Sequence, residues 1–289
     1  MKIDGRAIAE NIFTDLKRRV NSLKKKGITP HLVIILIGDD SASKAYVRQK
    51  VLKGEAIGAN VTVKNYELRI TNYELRKTIE QLNNDNNVHG IIVQRPLPPH
   101  IDEKAIDEAV DSKKDVDGFH PQTPFQMPLA AAVLRILQEI HIAKAYDVAD
   151  FREWLASKNI VVVGKGKTGG GPIIQKLKSM HIEPTIVDSK THNPQLITRN
   201  ADILISAVGK PRMIRKDWLR KDYGDDRPGT ILISVGMHKG EDGKLHGDYD
   251  EDDIKDVTTF YTPTPGGVGP VNVAMLLQNV VKAAESFAS

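Results

Sequence analysis

The first hundred residues alternate two hydrophobic rhythms. From Arg6 to Lys26 the apolar residues Ile8, Ile12, Phe13, Leu16, Val20 and Leu23 recur at helical spacing and share one face, which predicts an amphipathic helix. His31 to Ile37 (HLVIILI) is instead a near-continuous apolar run, the pattern of a strand buried on both faces. Ser41 to Ile57 reads as a helix, Asn60 to Tyr66 as a strand and Asn72 to Leu82 as a helix again. Val88 to Gln94 (VHGIIVQ) is a third strand, ended by Pro96, Pro98 and Pro99. Strand and helix in this order predict a parallel sheet with right-handed crossovers.

Helical patterns at Met127–Ile142 and Val148–Lys158 lead into a second α/β series. Its predicted strands are Asn159–Val163, Glu183–Val187, Asp202–Ala207, Thr230–Val235 and Val257–Tyr261; its helices are Gly169–Met180 and a closing Pro270–Phe287. The change of series puts a boundary near residues 125–150. Residues 1–125 form an N-terminal βαβ domain, 126–269 carry the bridging helix and the second series, and helix 270–289 is able to pack back on the first domain. The expected class is α/β in two lobes.

Composition narrows the function classes. Hydrophobic residues make up 40% of the 289 and charged residues 27%, as in an ordinary globular chain. The net charge of +4 is carried by scattered residues, and no basic stripe with interleaved aromatics marks a nucleic-acid groove. Absence of cysteine excludes disulfides, thiolate metal sites and a cysteine nucleophile, and fits a reducing, cytoplasmic setting. No apolar run reaches the roughly 18 residues of a membrane span, and the opening MKIDG lacks a signal-peptide apolar region.

The chemistry-bearing segments fall in both halves. Gly164-Lys165-Gly166-Lys167-Thr168-Gly169 follows a strand and opens a helix, and Asp188 ends the next strand 19 residues on. That is the context of a dinucleotide fingerprint, in which glycines let backbone amides approach a pyrophosphate at a helix N-terminus and an acid binds a ribose hydroxyl. A tight turn without ligand shows the same glycines. Pro265-Gly266-Gly267 belongs to a second glycine segment, at the carboxyl end of a strand, where it reads either as a turn or as a surface beside a planar ring. In the first half, Ser43, Tyr46 and Lys50 stand at i, i+3 and i+7 on one helix face. A lysine desolvated beside a phenol serves in proton transfer; a solvated lysine next to a packed tyrosine has the same spacing. Gln94 ends a central strand, where α/β sheets bind ligands, and Asp115 and Asp117 lie in a short loop.

Taken in order, these segments resemble the bifunctional methylenetetrahydrofolate dehydrogenase/methenyltetrahydrofolate cyclohydrolase family. The matching stretches are Ser43-x-x-Tyr46-Val47-x-x-Lys50, Gly90 to Pro98 with Gln94, Lys114 to His120 with Asp117, Ala207-Val208-Gly209-Lys210-Pro211, Gly243 to Asp248, and Pro265 to Pro270, and they span nearly the whole chain. The resemblance implies an N-terminal catalytic, folate-binding domain, a C-terminal Rossmann-type cofactor domain, a cleft between them, and a homodimer. It implies that Lys50 is the main catalytic residue, that Gln94 tunes it, that Tyr46 orients the folate and that Asp117 accepts hydrogen bonds from the pterin. Ser43, Pro265, Gly266 and Gly267 become substrate-side positions. Gly164, Lys165, Gly166, Gly169, Asp188, Ser189, Val208 and Gly209 become cofactor-side positions. The implied partners are tetrahydrofolate derivatives, with no metal, nucleic acid or membrane.

The chain also departs from that pattern. Arg95 stands where the family has leucine, and Met127-Pro128-Leu129-Ala130 replaces a proline-cysteine-threonine-proline segment. Thr123 and Phe125 replace the usual asparagine and glycine. Lys165 and Gly166 replace an arginine and a serine, and Asp188 replaces a histidine. An acid at position 188 favours NAD, whereas Lys165, Ser189 and Lys190 suit a 2′-phosphate; the family implies NADP, with NAD as the alternative. Two other readings stay open: a binding homologue with impaired catalysis, and a short-chain dehydrogenase, whose Tyr-x-x-x-Lys pair Tyr46 and Lys50 match but whose glycine fingerprint comes before that pair.

Overall fold

The computed structural model describes all residues except 145–149, 225–227, 241 and 288–289. The chain divides into two units, residues 9–128 with 273–289, and residues 1–8 with 129–272.

In the first unit the two rhythms become layers. Helix α1 (Gly5–Lys25) buries Ile8, Ile12, Phe13, Leu16, Val20 and Leu23, the face its spacing predicts. The apolar run is β1 (His31–Ile37), buried from Leu32 onward. Next come α2 (Ser41–Ala56), β2 (Asn60–Tyr66), α3 (Asn72–Asn83), β3 (Gly90–Val93) and α4 (Glu103–Ala109). The sheet order is β2-β1-β3 and both pairings are parallel. Central β1 needs apolar side chains on both faces, which accounts for its unbroken hydrophobicity. Strand β3 is shorter than the predicted Val88–Gln94, but backbone bonds from His89 to His31 (3.0 Å) and from Gln94 to Ile35 (2.9 Å) carry the pairing past both ends. Val33, Ile35, Leu75, Ile79, Ile91 and Ile106 share one core. Asp102 caps α4 by accepting from the Ala105 amide, yet Ile106 is the helix's buried residue, too little for a periodic signal.

The second unit continues with α5 (Pro128–Lys144) and α6 (Phe151–Ala156); the predicted start of the latter, at Val148, lies outside the described residues. Then follow β4 (Ile160–Val163), α7 (Gly170–Ser179), β5 (Thr185–Val187), α8 (Pro194–Thr198), β6 (Ile203–Ser206), β7 (Thr230–Ser234), the antiparallel pair β8 (Met237–Lys239) and β9 (Leu245–Gly247), α9 (Glu251–Ile254), β10 (Thr258–Tyr261) and the start of α10 (Val268–Ser286), which from Val273 onward belongs to the first unit. The sheet runs β10-β7-β6-β4-β5, all parallel. From β4 the chain passes to β5 on one side and to β6 on the other, so the loop after β4 lies at the switch point where such sheets bind ligands. Residues 1–8 group with this unit. Ile3 donates to the Tyr261 carbonyl at 2.8 Å and Tyr261 to that of Met1 at 3.0 Å, which extends the sheet past β10. Helix α10 begins two residues before the predicted Pro270, which sits in its first turn. Among the described residues no helix is long and apolar enough to cross a membrane.

Candidate active site

Helix α2 is built to bury a lysine. Asp40 caps it by accepting from the Ser43 amide at 2.7 Å, and the stripe Ser43, Val47, Lys50, Gly54 faces inward. At Gly54 a Cβ would stand 2.4 Å from Val61 Cγ2, so the missing side chain lets the helix lie close on β2, one turn beyond Lys50. Lys50 is only 8% exposed, and its Nζ donates to Gln94 Oε1 at 2.9 Å. Burial pushes the Lys50 ammonium below the usual lysine value, while the Asp117 charge pulls it back up. Gln94 is held at both ends: its amide continues the β1–β3 pairing, and its Nε2 donates to the Arg95 carbonyl at 2.8 Å, which turns Oε1 toward Lys50. Tyr46, one turn before Lys50, is half-buried, and burial raises its phenol.

The aspartate loop is fixed from three sides. Asp115, buried, accepts from the Gly118 amide at 3.1 Å and the His120 amide at 2.7 Å. Burial pushes its carboxyl up to about 6 against those two bonds. Asn279 of α10 donates to the carbonyls of Val116 and Gln126, each at 2.9 Å. Lys114 Nζ donates to the carbonyls of Leu82, Asn83 and Asp85 and thereby caps the end of α3. Between these anchors Asp117 is half-buried. Burial raises its carboxyl, Lys50 and Arg95 lower it, and Asp107 raises it further. Lys50, Gln94 and Asp117 thus form one electrostatic group: an amine that holds its proton less tightly than an ordinary lysine, its neutral acceptor and a carboxylate. Asp115, the other acid of the loop, is the clamp that shapes it.

The glycine loop after β4 is the second candidate site. Gly164 has φ +91°, and a Cβ there would meet the Ala207 carbonyl oxygen at 2.7 Å. A Cβ at Gly170 would come within 1.9 Å of the Gly164 carbonyl oxygen, so Gly170 allows α7 to start against the strand end. Gly166 faces open space and Gly169 has room for a Cβ at 3.5 Å. Close helix–strand packing therefore falls to Gly170, one residue past the fingerprint's third glycine, a distinction hidden in the run Gly169-Gly170-Gly171. Val208 and Gly209 lie on the neighbouring loop after β6, where Gly209 has φ +66°. That loop is organised by Asp248, the last residue of the Gly243 to Asp248 stretch. Its fully buried carboxylate accepts from Ser206 Oγ at 2.5 Å and from the amides of Val208 and Lys210 at 3.0 Å each. Pro265, Gly266 and Gly267 stand in the same unit, and a Cβ on Gly5 would meet the Gly267 carbonyl oxygen at 1.9 Å.

Residues 3–117 match the family model of the tetrahydrofolate dehydrogenase/cyclohydrolase catalytic domain, and residues 137–288 match that of the same family's NAD(P)-binding domain. The chain belongs to this family. The Bifunctional protein FolD of Lactococcus lactis subsp. cremoris is 40% identical over 291 residues, which cover 98% of this chain and 96% of that protein. The crystal structure of the bifunctional FolD methylenetetrahydrofolate dehydrogenase/cyclohydrolase from Campylobacter jejuni aligns with a TM-score of 0.88 at 35% identity, over 99% of each chain. The Trypanosoma brucei methylenetetrahydrofolate dehydrogenase-cyclohydrolase, complexed with NADP and inhibitor, aligns with a TM-score of 0.84 at 30% identity, over 99% of this chain and 97% of that one.

Against the family pattern, two departures have local partners. Lys165 Nζ pairs with Asp188 Oδ2 at 2.7 Å. That contact and the Lys190 amide hold the Asp188 carboxyl down to about 2. The novel acid and the novel lysine of a tetrahydrofolate dehydrogenase/cyclohydrolase cofactor loop thus answer each other, while Ser189 stays exposed beside them. Arg95 places its guanidinium 4.2 Å above the Phe119 ring and pairs with Glu103 and Asp107 of α4, which sequence reading assigned to no element.

Proposed function

We propose that the chain catalyses two successive steps on one folate. It oxidises 5,10-methylenetetrahydrofolate to the 5,10-methenyl cation and hydrolyses that cation to 10-formyltetrahydrofolate. The observation that carries this reading is the buried Lys50 ammonium, lowered by desolvation and bonded to Gln94 at 2.9 Å, in a unit of the family's catalytic type.

The residues divide the work. Asp117 accepts hydrogen bonds from the pterin and fixes its orientation, and Tyr46, with its ring half-buried on the same helix as Lys50, packs along it. Loss of hydride leaves an amidinium-like carbon open to water. Lys50, neutral at lower pH than an ordinary lysine, takes a proton from that water as the C–O bond forms, and releases it to solvent. The new hydroxyl then gives up its proton as its oxygen becomes the formyl C=O, the bond from that carbon to N5 breaks, and N5 takes up a proton to leave the 10-formyl product. Gln94 holds the amine in place through a neutral acceptor, which does not pin it in the charged form as a carboxylate would.

The glycine loop fits a dinucleotide, because cradle positions Gly164 and Gly170 have no room for a side chain while Gly166 opens outward. NADP, when bound, supplies the hydride acceptor. Gly164, Gly166 and the start of α7 would hold its pyrophosphate, Lys165 and Ser189 its 2′-phosphate, and Val208 and Gly209 would border it. Pro265-Gly266-Gly267 is read as a substrate-side surface. A homodimer, a cytoplasmic setting and domains bounded at 125 and 269 complete the reading. Sedimentation checks the dimer.

The test is incubation with 5,10-methylenetetrahydrofolate and either NADP or NAD, following reduced cofactor and methenyl absorbance. The expected result is cofactor reduction with NADP preferred, then decay of the methenyl signal. No reduction of either cofactor would defeat the dehydrogenase half, and a methenyl signal decaying no faster than in buffer would defeat the other.

A further inference from the structure

Arg95 is the one substitution in the folate-side motif that brings a charge inward. Its side chain is 10% exposed, its Nη1 lies 2.7 Å from Glu103 Oε2, and its Nη2 bonds Asp107. Ion pairing with α4 alone would explain an arginine there. It would not explain why the guanidinium also stands over the ring of Phe119, two residues beyond Asp117. Meanwhile the Arg95 carbonyl accepts from Gln94 Nε2 at 2.8 Å and so helps aim the acceptor of Lys50. One residue therefore touches the lysine's partner with its backbone and the aspartate's loop with its side chain.

We propose that Arg95 is a positioning residue for the folate side, tying the Asp117 loop to α4 through Phe119, Glu103 and Asp107 and placing a positive charge near the carboxylate that a pterin would engage. The inference rests on Asp117 being the pterin acceptor. The charges that act on Asp117 come from every element around it: Lys50 on α2, Arg95 after β3, Asp107 on α4 and Asp115 on its own loop. The nearby His120 contributes its backbone amide to Asp115. Of these two cations, Lys50 has its proton affinity lowered by burial. Without Arg95, Asp117 would face the carboxylate of Asp107 in a desolvated site with that weakened counter-charge alone. Its proton would then be lost only at higher pH. A leucine at 95 would keep apolar packing on Phe119 but remove both the counter-charge and the pairing of Glu103 and Asp107.

The experiment is the dissociation constant of tetrahydrofolate, kept reduced, as a function of pH for the whole protein and three variants. Wild-type binding should weaken as pH falls and Asp117 protonates. In Arg95→Leu the weakening should begin at higher pH, so that the dissociation constant is about tenfold above wild type near pH 6 and within about threefold near pH 8.5. Arg95→Lys should recover most of the loss near pH 6. Asp107→Asn removes a carboxylate and should move the profile the opposite way. A constant factor between Arg95→Leu and wild type at every pH would mean that Arg95 only packs, and the proposal falls. If Arg95→Leu does not fold, an unmoved profile in Asp107→Asn overturns it equally. Wild-type protein that binds no tetrahydrofolate at any pH would instead remove the reading of Asp117, and this inference with it.

Discussion

The two candidate sites solve their electrostatics in opposite ways. On the folate side Lys50 is 8% exposed and Asp117 half-buried; each has its charge held in check by burial and restored in part by the other. On the dinucleotide side the Lys165 side chain is 63% exposed and that of Asp188 22%, and their pair sits where water and salt screen it. Desolvation makes the first arrangement a chemical device, since a change of one charge shifts the proton affinity of the rest. The second is a surface arrangement shaped by its backbone more than by its ion pair, with Gly164 and Gly170 admitting no side chain. Proton chemistry needs the low dielectric; holding a flexible, highly charged molecule needs shape and exchangeable contacts.

The contrast breaks most sharply at Lys50. Lys50→Met should reduce methenyl hydrolysis by about 100-fold or more while tetrahydrofolate still binds, measured by methenyl decay and by titration. Retained hydrolysis would remove the folate-side device. Next in size is the backbone test. Gly170→Ala should cost roughly 1–3 kcal/mol of stability in denaturant unfolding, because its Cβ meets a carbonyl oxygen and not a movable side chain. Gly166→Ala should stay within about 0.5 kcal/mol. Equal costs would mean that the loop is not shaped by close helix–strand approach.

Smaller effects sharpen the comparison. Gln94→Glu puts a carboxylate beside the Lys50 ammonium and raises its proton affinity, so the neutral amine appears only at higher pH. The hydrolytic rate near neutral pH should then fall about tenfold and recover as pH rises, shifting the rising limb of the rate profile upward. An unmoved limb would exclude Lys50 as the titrating base. The smallest change is expected at the exposed pair. Lys165→Ala frees Asp188 and removes a cation, so the affinity for NADP relative to NAD should drop by roughly threefold to fivefold. Asp188→Ala should move that ratio the other way. Calorimetric titration with each cofactor reads both. A larger response here than at Gln94 would reverse the ranking of the two sites.

Legibility in the sequence follows the same division. The alternating strands and helices were readable because each buries a long apolar face; β1 is apolar through all but its first residue. Ser43, Tyr46 and Lys50 were readable as one face because a helix fixes spacing locally. The Lys50–Gln94 bond was not derivable from spacing, since 44 residues separate the partners and the register of β1 with β3 brings them together. Helix α4 left no trace, because one buried isoleucine makes no period, and so the carboxylates that hold Arg95 could not be anticipated. Lys165 and Asp188 each stood out as departures, but their contact depends on β4 lying beside β5. Asp248 was visible only as part of a motif; its role comes from three donors that converge on it after folding.

The stripe on α2 also bears on how far this protein can drift. The position of Lys50 is set by an inward row of four residues, by a glycine against Val61, and by an acceptor hung on the sheet's own peptide groups. None of these depends on the outward residues Arg48, Gln49, Leu52 or Glu55, all exposed. Mutations can accumulate on that outer surface, changing solubility and charge, without displacing the amine. The helix thereby separates what selection must preserve from what it is free to vary.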